Sequence, residues 1–114
     1  MRKSFTVVWT PTAEGDVGAI LEYLAHHEGA DRALAAYERL RRGIDTLMLF
    51  PLRGRMVPEL QAVGLHEYRE VVVAPYRVCF RLTGQRVLLL SVLDGRRDLG
   101  ELLIERAMRS SRET

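Results

Sequence analysis

The sequence predicts a single α+β domain in which two helices precede a mostly antiparallel sheet. Three observations carry this expectation. A short β-branched and aromatic run, Ser4-Phe-Thr-Val-Val-Trp9, opens the chain. Two apolar stripes at helical spacing follow it. From Leu65 onward the apolar period shortens from about four to two, the period of a strand. With 114 residues and 47% hydrophobic content, one compact domain spanning 1–114 with one modest core is expected.

The run over 4–9 reads as a strand. Thr10-Pro11 reads as a helix start, because threonine can cap and proline suits the first helical position, where its missing N–H would be unpaired anyway. Val17, Ile20, Leu21 and Leu24 then fall on one face. Gly29 punctuates the turn, and a second helix is expected over Asp31–Leu49. Its stripe is Ala33, Tyr37, Leu40, Ile44, Leu47 and Met48, and its other face carries Arg32, Glu38, Arg39, Arg41, Arg42 and Asp45. Two helices with so short a link form an antiparallel hairpin whose stripes share one core.

Phe50-Pro51 stops the second helix. Residues 51–65, with Pro51, Gly54, Pro58 and Gly64, read as loop. His66–Val73 and Tyr76–Leu82 read as strands, the latter alternating Tyr76, Val78, Phe80 and Leu82 against Arg77, Cys79 and Arg81. Thr83-Gly84-Gln85 is a hairpin turn. Arg86–Leu93 is apolar enough to be buried on both faces. Asp98–Met108 returns to a helical pattern, with Asp98 placed to cap it, and a polar tail is expected from Arg109 to Thr114. The helices are expected on one side of the sheet, with the first strand inserted beside a later one.

Composition excludes several function classes. No apolar run reaches the roughly 18 residues of a membrane span, and the first residues show no signal-peptide pattern. The single cysteine, Cys79, permits no internal disulfide. The expected location is therefore the cytoplasm. A formal net charge of +2 does not demand nucleic-acid binding, and no sequence-specific DNA binding by this chain alone is expected. Lys3 is the only lysine, so nearly all positive charge is arginine, a planar fork suited to carboxylates and phosphates. His26 and His27 end the first helix with no further ligands in view, so neither a metal nor another cofactor is expected.

The residues Trp9-Thr10-Pro11-Thr12-Ala13, Phe50-Pro51 with Gly54-Arg55, Tyr68-Arg69-Glu70, Pro75-Tyr76-Arg77-Val78, and Val92 followed by Gly95-Arg96-Arg97-Asp98-Leu99 occur in an order that resembles the RelE/ParE toxin superfamily, closest to its ParE branch. The resemblance runs from about residue 4 to 107. It implies the superfamily fold: an N-terminal strand, a helical hairpin, a three-stranded antiparallel sheet and a short C-terminal helix. It also implies the toxin half of a type II toxin–antitoxin pair. Its partner would be a ParD-like ribbon-helix-helix antitoxin whose C-terminal segment wraps the toxin, and the expected target is DNA gyrase. The alternative within the superfamily is a ribosome-dependent mRNA endoribonuclease of the RelE type.

That alternative needs groups able to exchange protons as well as hold phosphate. In RelE-type toxins the resemblance supplies basic residues on the sheet and a tyrosine, or a histidine–tyrosine pair, near the C-terminus. Arg77 stands where such enzymes carry an arginine, and Arg96 or Arg97 could match a second. Residues 99–104, Leu-Gly-Glu-Leu-Leu-Ile, contain neither tyrosine nor histidine, and Asp94 stands where a histidine is frequent. Arginine cannot shuttle protons at neutral pH. The expectation is thus a binder, not an enzyme, with no catalytic residues. Target or antitoxin contacts are expected at Arg53, Arg55, Arg69, Arg77, Arg81, Arg96 and Arg97. Structural alternatives stand beside these: a salt bridge from Arg77 or Arg81 to Glu67 or Glu70, and a purely structural corner at Arg96–Asp98.

Overall fold

The computed structural model describes residues 4–113. Strand β1 (Thr6–Trp9) leads into helix α1 (Pro11–Glu28), and Gly29 alone separates it from α2 (Ala30–Asp45). Strand β2 (Arg55–Met56), the one-turn α3 (Pro58–Gln61), β3 (Tyr68–Val73), β4 (Tyr76–Thr83), β5 (Arg86–Asp94) and α4 (Gly100–Glu113) complete the chain.

The helix starts and stops follow local chemistry. Thr10 Oγ1 accepts from the Ala13 N–H at 3.2 Å and donates to the Leu89 carbonyl at 2.7 Å, so one hydroxyl caps α1 and pins it to β5. Gly29 takes φ +98°, a region that a side chain would strain, and this lets the chain reverse in a single residue. Helix α2 ends earlier than its stripe suggests: 46–48 tighten into a 3₁₀ turn that still delivers Leu47 to the core.

The sheet has five strands in the order β1-β5-β4-β3-β2. Three pairings are antiparallel, and β1 inserts beside β5 in parallel, with Thr6 opposite Arg86 and Trp9 opposite Leu89. On β4–β5, Phe80 pairs with Leu89 and Cys79 with Ser91, so Leu90 is an extra residue that bulges β5. Strand β5 is buried on both faces, as its composition predicts.

The sheet is covered on both sides, which corrects the expectation of helices on one side only. One core joins Ala13, Val17, Leu40, Ile44 and Leu47 of the hairpin region to Val78, Phe80, Leu89 and Val92 of the sheet. The opposite face packs Cys79, Leu88, Leu90 and Leu93 beneath Leu60 of α3, Leu99 just before α4, and Leu103 and Ala107 of α4. Each fully buried side chain of this size contributes about 1.5–3 kcal/mol. Two further corrections arise from segments whose order comes from tertiary contacts. Residues 51–65 are not all loop: β2 pairs with β3, and Pro58 starts a helical turn that carries Leu60 into the second core. The last helix runs to Glu113, so most of the expected polar tail is helical, with Arg109 paired to Glu105 at 2.6 Å; Thr114 lies outside the described residues.

Among the described residues, no helix is long and apolar enough to cross a membrane.

Candidate partner-binding surfaces

The arginine positions singled out in the sequence do not converge on one site. They divide among a buried clamp, an apolar corner and a polar cleft.

The clamp centres on Glu70, whose side chain is fully buried on β3. Its two carboxylate oxygens accept from Arg55 Nε at 2.5 Å and Arg77 Nε at 2.7 Å. The guanidinium of Arg77 then forks onto Glu59 of α3, at 2.7 and 2.6 Å. Antiparallel register makes this possible: Glu70 lies opposite both Arg55 on β2 and Cys79 on β4, with Arg77 one pair along the same face. The hydrogen bond to Arg77 holds the Glu59 carboxyl below its ordinary range, and Glu59 correspondingly stabilises the Arg77 cation. Arg77 is 9% exposed, with three of its donors committed to carboxylates. The salt bridge to Glu70, weighed in the sequence as the structural alternative for Arg77, is present. Arg69 turns to the Gly54 carbonyl at 2.9 Å and helps hold the 51–56 segment against the sheet.

The apolar corner lies at the other end of the hairpin. Phe5, Leu49, Phe50, Pro51 and Leu52 surround a hollow of about 390 Å³, and Arg53 lies over the Phe50 ring at 4.2 Å from its centroid. Leu52 is 68% exposed there. Nearby, β1 is an outer strand of the sheet among the described residues. The half-exposed rings of Trp9 and Tyr37 flank a hollow of about 250 Å³ floored by Val17, Leu40 and Ile44. Arg81 and Arg86 line a further hollow beside Trp9.

The polar cleft lies where the α1–α2 hairpin meets the β3–β4 and β5–α4 connections. Arg32 and Arg39 of α2, Glu28 of α1, Tyr76 of β4 and Arg96 surround a cavity of about 330 Å³. A second cavity, of about 480 Å³, shares Tyr76 and Arg96 and adds Tyr23 and Arg97. Asp94 accepts from the Arg96 backbone N–H and from both arms of its guanidinium, at 2.7–3.0 Å, and this holds the Asp94 carboxyl below its ordinary range. Asp98 instead caps α4 by accepting from the Gly100 N–H at 3.3 Å.

Arg96 and Arg97, named from the sequence, both line this cleft, together with Arg32 and Arg39, which the sequence placed on the face of the second helix opposite its apolar stripe. Their spacing of two helical turns, with alanines at 35 and 36 between them, was the available signal. Tyr76, which the alternation put on one face with Val78 and Phe80, is buried with them at 6% exposed, and burial raises its phenol above the ordinary range. Its ring nevertheless lines both cavities.

Cys79 is buried beneath α4, and that burial pushes its thiol up to about 12, well away from a thiolate nucleophile. Among the described residues, no cluster of three or more histidine, cysteine or carboxylate side chains could hold a metal ion.

Comparison with known proteins agrees with this architecture. The family model described as the ParE toxin of type II toxin-antitoxin system, parDE, matches residues 7–99. Toxin ParE3 of Caulobacter vibrioides is 31% identical over 97 residues, covering 85% of this chain and 93% of that protein. Among solved structures, a chain of the chromosomal ParDE system from P. aeruginosa superposes with a TM-score of 0.67 at 20% identity, covering 80% of this chain and 96% of that one. A chain of the toxin–antitoxin complex RelBE2 from Mycobacterium tuberculosis gives 0.53 at 26% identity, covering 80% and 98%. The extent of the family match and the near-complete coverage of Toxin ParE3 place this chain in the ParE toxin family of type II toxin–antitoxin systems.

Proposed function

We propose that this toxin acts in the cytoplasm by gripping DNA gyrase and is neutralised by a ParD-like, ribbon-helix-helix antitoxin whose C-terminal segment wraps it. The observation that carries the binding half of this reading is the state of Arg77. The arginine that stands where a message-cleaving relative would need a phosphate ligand is instead closed in by Glu59 and Glu70. A phosphate arriving there would meet two carboxylates and a face already covered by α3 and α4. What is left for partners is apolar and cationic: the Phe50–Leu52 corner with Arg53, the Trp9–Tyr37 hollow beside the β1 edge, and the cleft with Arg96 and Arg97. Such surfaces suit an acidic segment that orders on binding, with a strand edge and grooves as anchors. Of the arginines named from the sequence, Arg53, Arg81, Arg96 and Arg97 are the contact candidates, whereas Arg55 and Arg77 serve through the clamp and Arg69 through the Gly54 carbonyl.

The test is a gyrase supercoiling assay with purified toxin. Supercoiling should fall and cleaved DNA accumulate as toxin is added, with reversal by the antitoxin. Unimpaired gyrase at high toxin excess sinks the gyrase target. The second reading, message cleavage on the ribosome, is favoured by the likeness to the RelBE2 complex. Primer extension separates the two, since new codon-phased ends on ribosome-bound message would establish the nuclease.

A further inference from the structure

We propose that the cleft between the helical hairpin and the β3–β4 and β5–α4 turns receives a carboxylate side chain from the antitoxin's wrapping segment, bound by Arg32, Arg39 and the Tyr76 hydroxyl. This rests on the reading that an antitoxin wraps this chain, and it assigns the contact to residues outside the arginine set picked from the sequence.

Three features point to it. First, Arg32 and Arg39 project from one face of α2 two turns apart, and neither forms an ion pair among the described residues, although Glu28 lines the same cavity. Second, the ring of Tyr76 is buried while the residue lines both cavities, and its hydroxyl makes no hydrogen bond among the described residues, so the donor is available to a ligand; the charges around it, Asp94, Arg96, Arg39 and Glu28, all belong to the cleft. A phenol O–H facing an open cleft can donate to a ligand oxygen without giving up a bond within the protein. Third, charge selects the ligand. Asp94 already neutralises Arg96, and Glu28 offsets one of the two arginines of α2, so a single positive charge is left over. A carboxylate matches that surplus. A phosphate monoester would exceed it, and a phosphodiester brings a bulky sugar on both sides into a cavity of about 330 Å³. Leu24, Ala36 and Pro75 give the cleft an apolar wall for the stem and an apolar neighbour of the acidic residue.

The geometry is the ordinary one for a planar anion. One guanidinium fork meets both carboxylate oxygens, and the phenol donates to the inner one.

The experiment uses the full chain and the purified product of the adjacent ribbon-helix-helix reading frame, with affinity measured by calorimetry. Wild-type toxin, Arg32→Glu/Arg39→Glu and Tyr76→Phe are compared, each first checked for an unchanged thermal transition. Both arginines are exposed and unpaired, so the double variant should fold. The expected result is at least a hundredfold loss of affinity for the double variant and a several-fold loss for Tyr76→Phe. If the wild type binds and both variants bind within twofold of it, the cleft is not the contact and the proposal falls, while the antitoxin reading survives. If the wild type does not bind, both fall. If antitoxin affinity is unchanged but the double variant alone loses retention of a single-stranded oligonucleotide, the cleft is a nucleic-acid site and the proposal is equally overturned.

Discussion

At the scale of single residues, the fold concentrates its electrostatic risk in Glu70 and Arg77. A carboxylate buried this completely is tolerable only with cations on both oxygens. Arg77→Ala should therefore cost about 3–5 kcal/mol, read as a lowered urea midpoint, because Glu70 keeps only the half-exposed Arg55. A midpoint within about 0.5 kcal/mol of wild type would show that the clamp contributes no net stability. Glu59 adds a pH dependence. Its carboxyl is depressed by Arg77, so the folded state binds fewer protons than the unfolded chain near the ordinary value of 4.5. That stability is complete above the unfolded value and is lost as pH falls through the lower folded one. Between about pH 5 and pH 3 the wild-type midpoint should drop more steeply than that of Glu59→Gln. Parallel slopes would mean that Glu59 carries no such linkage. The carboxylates of this clamp were legible as strand neighbours of Arg77 only for Glu70. Glu59 lies 18 residues upstream in a segment read as loop, and no local pattern announces a partner of that kind.

At the scale of elements, period and capping made α1, β3, β4 and β5 legible, because each carries its own pattern: Thr10-Pro11 at one helix start, strict alternation on β4, an unbroken apolar run on β5. What the sequence hides is assembly. The stripe of α4 is visible, yet nothing local says which face of the sheet it covers, and β2 is a strand only because β3 offers it a ladder. The far face is also secured through one side chain. Asp16 of α1 accepts from the Val92 backbone N–H at 3.0 Å and from Arg106 of α4 at 2.5 Å, so a single carboxylate ties α1, β5 and α4. Asp16→Ala should cost about 3 kcal/mol by leaving the Val92 amide without its acceptor and Arg106 with only the longer contact to Glu105 at 3.5 Å. In hydrogen exchange, the amides of α4 should lose protection before those of β4 do. Equal loss across the sheet would show that α4 is held by its apolar contacts alone.

At the scale of the whole molecule, the partition of surfaces decides behaviour. An apolar corner, an outer strand edge and a cationic cleft remain uncovered on a small domain whose cores are both modest. Saturating antitoxin should therefore stabilise the chain strongly: at a hundredfold excess over its Kd, about 2.7 kcal/mol, which for a domain of this size raises Tm by roughly 10–20 °C. A shift under about 2 °C in calorimetry would argue against an antitoxin that engages the folded toxin. The parallel insertion of β1 beside β5 has a temporal corollary. The first strand emerges from the ribosome with nothing to pair with, and the carbonyl that will receive the Thr10 hydroxyl follows 79 residues later. Closing so wide a loop comes late in folding. The poison is thus unarmed for nearly the whole of its own synthesis, and an antidote already present nearby need only outpace the final strand.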